Sequence, residues 1–156
     1  MEGVFFDIIG KKRASLIAAG CASGASAAGQ PLEAVQRMHK FGEHTGIAFQ
    51  IKDDLFDYGN GEDIGKPTGL DIKEKKLTLP LIYSLDKVSK SDRRWMIDVV
   101  KNKNEDDRSV KRLVEMVSEA GGIAHAHARM LEYRDKAIGT LPVSYKHLKL
   151  PTRELV

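Results

Sequence analysis

Cys21 is the only cysteine in this chain, so no internal disulfide can close and a reducing compartment is expected. It lies in an Ala/Ser/Gly run and reads as a small packing residue. Long apolar runs are also missing. The longest weakly apolar stretch, residues 16–28, is broken by Gly20, Ser23, Gly24 and Ser26, which excludes a membrane-spanning helix. Charge of one sign is scarce: 25 basic residues are interleaved with 22 acidic ones for a net +3, too little to argue for a nucleic-acid partner. The opening Met1-Glu2-Gly3 has no basic leader, and a cytoplasmic location is expected. No alternating pattern long enough for a strand occurs, and no internal repeat.

What remains is helical. With 156 residues, 42% apolar and 30% charged, the chain can bury one real core, and the predicted class is all-α. The spacing predicts a helix over residues 4–28 with Phe5, Ile8, Ile9, Leu16 and Ile17 as its bulky stripe. Gly29-Gln30-Pro31 ends it, and a long helix follows over 32–58. Glycines and Pro67 make 59–69 a loop. Asp71 is a candidate cap for a helix whose apolar body is residues 78–85, with Pro80 at its start or kinking it. Further helices are expected at 92–101 behind a Ser91 cap, at 108–120 behind Asp106 or Asp107, and at 123–138. Trp95 and Tyr133 read as packing residues. His125 and His127 are two apart, and His39 and His44 lack the one-turn spacing of a metal pair, so the histidines do not suggest a metal site.

The chemistry concentrates in Ala48-Phe49-Gln50-Ile51-Lys52-Asp53-Asp54-Leu55-Phe56-Asp57-Tyr58. At about 100° per residue, Asp53 and Asp57 stack one turn apart, Gln50 projects between them, and Asp54 lies at the edge of the same stripe. Gly46 falls on this stripe and is expected to leave room for a ligand. Ile47, Ala48, Ile51, Leu55 and Tyr58 take the opposite, core-facing side, with Phe49 and Phe56 as flanking walls. Carboxylates this close repel one another in apolar surroundings unless a cation joins them. Hard oxygen ligands suit Mg²⁺, which keeps waters and shares substrate phosphates.

A lysine-bearing glycine loop follows, Asp63-Ile64-Gly65-Lys66-Pro67-Thr68-Gly69-Leu70-Asp71, and then Lys75-Lys76. A nucleotide-binding P-loop does not fit, because Asn60 stands where the first glycine belongs and Pro67 replaces the Ser/Thr. A calcium loop starting at Asp57 fails as well: Gly59 and Gly61 fall on ligand positions and Glu62 on the required glycine. Acidic helix and lysine loop together suggest a diphosphate held between Mg²⁺ and lysine.

Gly46 to Asp57, then Asp63-Ile64-Gly65-Lys66-Pro67, then Lys76-Leu77-Thr78-Leu79-Pro80, resembles the second aspartate-rich motif of the trans-isoprenyl diphosphate synthases, the polyprenyl synthetases. Lys12-Arg13-Ala14 resembles that family's Lys-Thr-Ala core, with Arg13 in place of the usual threonine. The resemblance runs from about Phe5 to Leu141 and is closest to bacterial octaprenyl-type enzymes. It implies an all-α isoprenoid synthase fold and Mg²⁺-dependent joining of an allylic diphosphate to isopentenyl diphosphate. By match, Asp53 would bind Mg²⁺ directly, with Asp54 and Asp57 completing the site. Lys12 and Lys66 would hold the departing diphosphate beside Gln50, Phe49 would lie near isopentenyl diphosphate, and Lys76 near the cation; Arg13 would meet phosphate.

The family also carries an earlier aspartate-rich motif on a facing helix and forms homodimers, and no second stretch of that pattern occurs here. The expectation is therefore the C-terminal portion of a synthase, residues 1–141, inactive alone. The alternative is a noncatalytic helical subunit whose partner supplies the other motif. Residues 142–156 abandon helical spacing and are expected to be foreign to the fold.

Overall fold

The computed structural model describes residues 1–59 and 69–142. The loop residues 60–68, Lys66 among them, and the tail from 143 onward lie outside the described residues. In chain order the helices are α1 (Glu2–Ile9), a π-helical turn (Gly10–Ala14), α2 (Ser15–Ala27), α3 (Leu32–Phe56), α4 (Leu70–Lys73), α5 (Leu79–Leu85), α6 (Lys90–Asn102), α7 (Asp107–Glu119) and α8 (Gly122–Thr140). Among the described residues there is no strand, and the all-α expectation holds.

The long α3 is the axis, packed between α2 on one side and α8 on the other. One cluster, with Phe5, Ile9, Ala14, Ile47, Ile51, Leu79, Ile82 and Met130, joins α1, α3, α5 and α8. A second, with Tyr58, Ile72, Leu81, Met96, Val99, Leu113 and Val117, sits under α4 to α7. Tyr58 links α3 to the start of α5, its hydroxyl 2.6 Å from Thr78 Oγ1, both residues buried.

The first helix differs from expectation in an informative way. Its buried row runs Phe5, Ile9, Ala14, Ala18, and the step of five between Ile9 and Ala14 is the extra residue of the π turn. That slip turns Leu16 (76% exposed) outward, although simple spacing places it on the core stripe; Ile8 (56%), ahead of the turn, faces an open cavity and not the core. Beyond the turn, α2 and α3 approach backbone to backbone. A Cβ on Gly42 would stand 2.7 Å from Ala18 Cα, and one on Gly46 2.7 Å from Ala14 Cα. The room at Gly46 thus goes to Ala14, a helix neighbour, and not to a ligand as the sequence suggests.

Helix ends follow elementary capping rules. Asp106 accepts the Ser109 N–H at 3.1 Å, as expected, whereas the α6 cap is Ser89, accepting the Asp92 N–H at 3.1 Å, two residues ahead of the expected Ser91. Gly29, in the left-handed region at φ 69°, closes α2, with its N–H on Ser26 O and the Gln30 N–H on Ala25 O. Pro80 falls in the first turn of α5, where its missing N–H costs nothing, so it starts the helix without kinking it. Asp71 lies inside α4; the cap position belongs to Gly69 at φ 83°.

Candidate functional site

Gln50 and Asp54 lie one turn apart on α3 and are almost fully buried, 4% and 1% exposed. The Gln50 Oε1 accepts from the Arg13 guanidinium, and its Nε2 donates to Asp54 Oδ1 at 2.9 Å. Only this amide orientation meets a donor on one side and a carboxylate on the other. Lys76 Nζ stands 3.4 Å from the same Asp54 oxygen and donates to Asp71 Oδ1 at 3.0 Å. The second Asp54 oxygen, Oδ2, is buried without a hydrogen-bond partner among the described residues. Asp53 is half exposed and lies 3.7 Å from the Arg13 guanidinium. Asp57 is buried, and its Oδ2 accepts the Asp71 N–H at 3.1 Å.

Burial dominates the acids. It pushes the Asp54 carboxyl above the usual carboxylate range, against the pull of the Lys76 charge and the Gln50 amide. Burial likewise raises Asp57, against the Asp71 backbone N–H. For Lys76 burial works to lower the pKa, but the Asp71 hydrogen bond and the Asp54 charge outweigh it, and the ammonium is held above its ordinary value.

A backbone device delivers Lys76 to this network. After α4 the Lys75 N–H bonds Ile72 O at 3.0 Å and the Lys76 N–H bonds Asp71 O at 2.8 Å, with Lys75 itself left-handed at φ 58°. This is the Schellman closure that normally employs glycine, here built on a lysine. It folds the chain back so that the Lys76 side chain returns to the carboxylate of Asp71, five residues earlier.

Arg13, Lys12, Gln50, Asp54 and Lys76 line one end of a cavity of about 450 Å³. The rest of its lining is apolar, from Met1, Val4, Phe5, Ile8, Ile9, Leu77 and Ile82. A cationic end and a greasy body in one cleft suit an amphipathic anion. Of the residues singled out in the sequence, these five converge. Asp53 and Asp57 adjoin the network but are not among the residues lining this cavity, and neither is Phe49, which is 66% exposed. Phe56, expected as a second wall, is 41% exposed, with Lys52 over its ring at 5.7 Å. Asp71 is the residue that sequence reasoning missed. Its link to Lys76 depends on the left-handed turn, and a lysine at 75 gives no sign of one.

Comparison with known proteins reads the arrangement. The family profile described as Polyprenyl synthetase matches residues 2–117. The chain belongs to the polyprenyl synthetase family. It is 36% identical over 135 residues to heptaprenyl diphosphate synthase component 2 of Geobacillus stearothermophilus, covering 85% of this chain and 41% of that protein. It is 34% identical over 133 residues to a short chain isoprenyl diphosphate synthase of Methanothermobacter thermautotrophicus, covering 85% and 40%. The polyprenyl synthase of Caulobacter crescentus, solved with calcium and isoprenyl diphosphate, superposes at a TM-score of 0.82 with 29% identity, over 92% of this chain and 45% of that one. The chain therefore spans less than half the length of these relatives. The isoprenoid synthase fold expected from the motifs is the fold found.

The family implies a divalent cation, and the donor set fits one. The acids offer only oxygen, and the buried Asp54 Oδ2 has no hydrogen-bond partner among the described residues. Among the described residues no three acidic or histidine side chains gather round one point. Asp53, Asp54 and Asp57, expected from the sequence as one ligand set, therefore do not converge on a single point among the described residues. Among the described residues no helix is long and apolar enough to cross a membrane.

Proposed function

We propose that this chain forms one wall of a prenyltransferase site, in which an allylic diphosphate is condensed with isopentenyl diphosphate in a Mg²⁺-dependent reaction. The observation that carries the reading is the buried Gln50–Asp54–Lys76 network at the cationic end of an otherwise apolar cavity. In the reaction the allylic C–O bond breaks with its electron pair on the departing diphosphate. A carbon–carbon bond then forms to isopentenyl diphosphate, and a proton leaves the product. Asp53 would hold Mg²⁺ directly, with Asp54 and Asp57 completing the site partly through water, and the ion would neutralise charge on the leaving diphosphate. Lys12, Arg13, Lys66 and Lys76 bind the diphosphate oxygens, where fixed positive charge favours bond breaking. Gln50 orients Asp54 and Arg13. Phe49 stands toward the isopentenyl substrate, and the apolar cavity wall takes the prenyl tail. No protein nucleophile is required.

With a single acidic wall the isolated chain is inactive; an opposing aspartate-rich wall completes the metal cluster. That wall comes from further polyprenyl synthetase sequence in the same protein, or from a partner. The second reading draws on the relative named component 2, a title that denotes one part of an assembly. A homodimer of the complete enzyme in the cytoplasm belongs to the first reading. The test is incorporation of radiolabelled isopentenyl diphosphate with geranyl or farnesyl diphosphate and Mg²⁺, measured for the chain alone and mixed with candidate partners. Turnover only with a partner supports the subunit reading. Turnover by the chain alone defeats the requirement for a second wall.

A further inference from the structure

We infer that Arg13 is a resident counter-ion on Asp53, which a divalent cation must displace and which, once displaced, joins the binding of the anion. The inference rests on the reading above that Asp53 holds the metal. It starts from the π turn. Ala14 is fully buried against Gly46, which fixes the register of the turn on α3. The neighbouring Arg13 thereby reaches two groups of α3 at once, the Gln50 amide oxygen and the Asp53 carboxylate. Gln50 is held in turn, because its amide nitrogen donates to Asp54, which Lys76 also pairs.

The two contacts differ in strength. The Gln50 bond is made by Nη1, the same guanidinium nitrogen that faces Asp53. The Asp53 contact is 3.7 Å long between side chains that are 56% and 42% exposed, a weak and exchangeable ion pair. A doubly charged cation arriving at Asp53 meets an arginine and repels it. The guanidinium then has the cavity as its other neighbour, where Lys12 and Lys76 already present positive charge to an anion. Metal and diphosphate are thus coupled through one side chain: Arg13 opposes the first and favours the second.

The sign of that coupling is the test. Mn²⁺ binding is followed by the electron paramagnetic signal of the free ion, and inorganic pyrophosphate with Mg²⁺ by calorimetry. Arg13→Gln is neutral and of similar shape. It should bind Mn²⁺ about three- to tenfold more tightly than the native chain, the range expected for lost pairing plus lost repulsion at a partly screened site. The same variant should bind pyrophosphate in Mg²⁺ several-fold more weakly. Lys12→Gln removes the same charge one residue away; it should weaken pyrophosphate while leaving Mn²⁺ within about twofold. Arg13→Lys keeps the charge on a compact ammonium without the guanidinium's planar set of donors, and should fall between the two. Circular dichroism of each variant checks the fold, which exposed positions such as these should leave intact. If Arg13→Gln binds Mn²⁺ no better than the native chain, or if Lys12→Gln tightens it equally, the inference is overturned and the metal reading stands. If no variant takes up Mn²⁺ at all, both fall.

Discussion

Replacing Gly46 by alanine tests whether the helix contact behind the site governs the site itself. The new Cβ would stand 2.7 Å from Ala14 Cα and 2.9 Å from Ala14 Cβ. Carbon atoms rest roughly 3.5–4.0 Å apart, so α3 and the π turn must separate by about 1 Å. The nearest atom is backbone in a buried turn, and no rotamer change can relieve it. Overpacking of this kind costs about 1–3 kcal/mol, from a total stability of about 5–15 kcal/mol. For a chain of this size that lowers Tm by about 3–10 °C. Arg13 and Lys12 ride on the displaced turn, so pyrophosphate affinity in Mg²⁺ should fall as well. The assay is urea unfolding followed by far-ultraviolet dichroism, paired with pyrophosphate calorimetry. Gly20→Ala is the control: nothing lies within 4 Å of its added carbon, and an alanine in a helix interior should gain about 0.5–1 kcal/mol. The reasoning is refuted if Gly46→Ala is as stable as the native chain, or if both variants shift the midpoint in the same direction.

Asp54→Asn should flatten the dependence of stability on pH. The folded Asp54 pKa lies above its unfolded value of 3.8. The native state therefore holds the proton more tightly between the two, and stability falls as pH rises through that window. In chelator-treated buffer, urea midpoints of the asparagine variant should decline less than native ones above about pH 4, with a smaller slope of the same sign left by Asp57; an unchanged slope would contradict the assignment. Tyr58→Phe strips the buried Thr78 hydroxyl of its 2.6 Å partner and should cost about 1–3 kcal/mol in the same unfolding assay. Asp106→Ala removes the α7 cap and should cost about 1 kcal/mol with no effect on pyrophosphate binding; lost binding would tie α7 to the site.

The acidic stretch was legible because its polar and apolar residues sort cleanly at helical spacing. That sorting also put Ile47, Ile51 and Tyr58 in the core, where they lie. What it could not show is that α3 is covered near its end on both sides, so that Gln50, Asp54 and Asp57 are buried along with them. Periodicity reports one favoured face, not how many neighbours a helix has. Leu16 departs from the simple pattern for another reason: a single inserted residue in the π turn shifts the register between α1 and α2, and Gly10-Lys11-Lys12-Arg13-Ala14 does not advertise the insertion. Gly46 was given to a ligand because the residue facing it, Ala14, is far away in sequence. The meeting of Asp71 with Lys76 was invisible for a similar reason, since it depends on a backbone conformation that lysine rarely adopts.

That lysine at 75 has a consequence of its own. Two main-chain bonds, to Ile72 and Asp71, set the point from which residue 76 departs, whatever side chain it bears. An arginine grafted there would set out from the same spot and differ only in reach and shape. Glycine at 75 would ease the bend by about 1 kcal/mol but leave the unfolded chain freer, so the net gain should be small. A valine there would resist the bend and cut the ammonium loose from its acids. The conformation of one solvent-facing residue thus sets how firmly the Lys76 ammonium is moored.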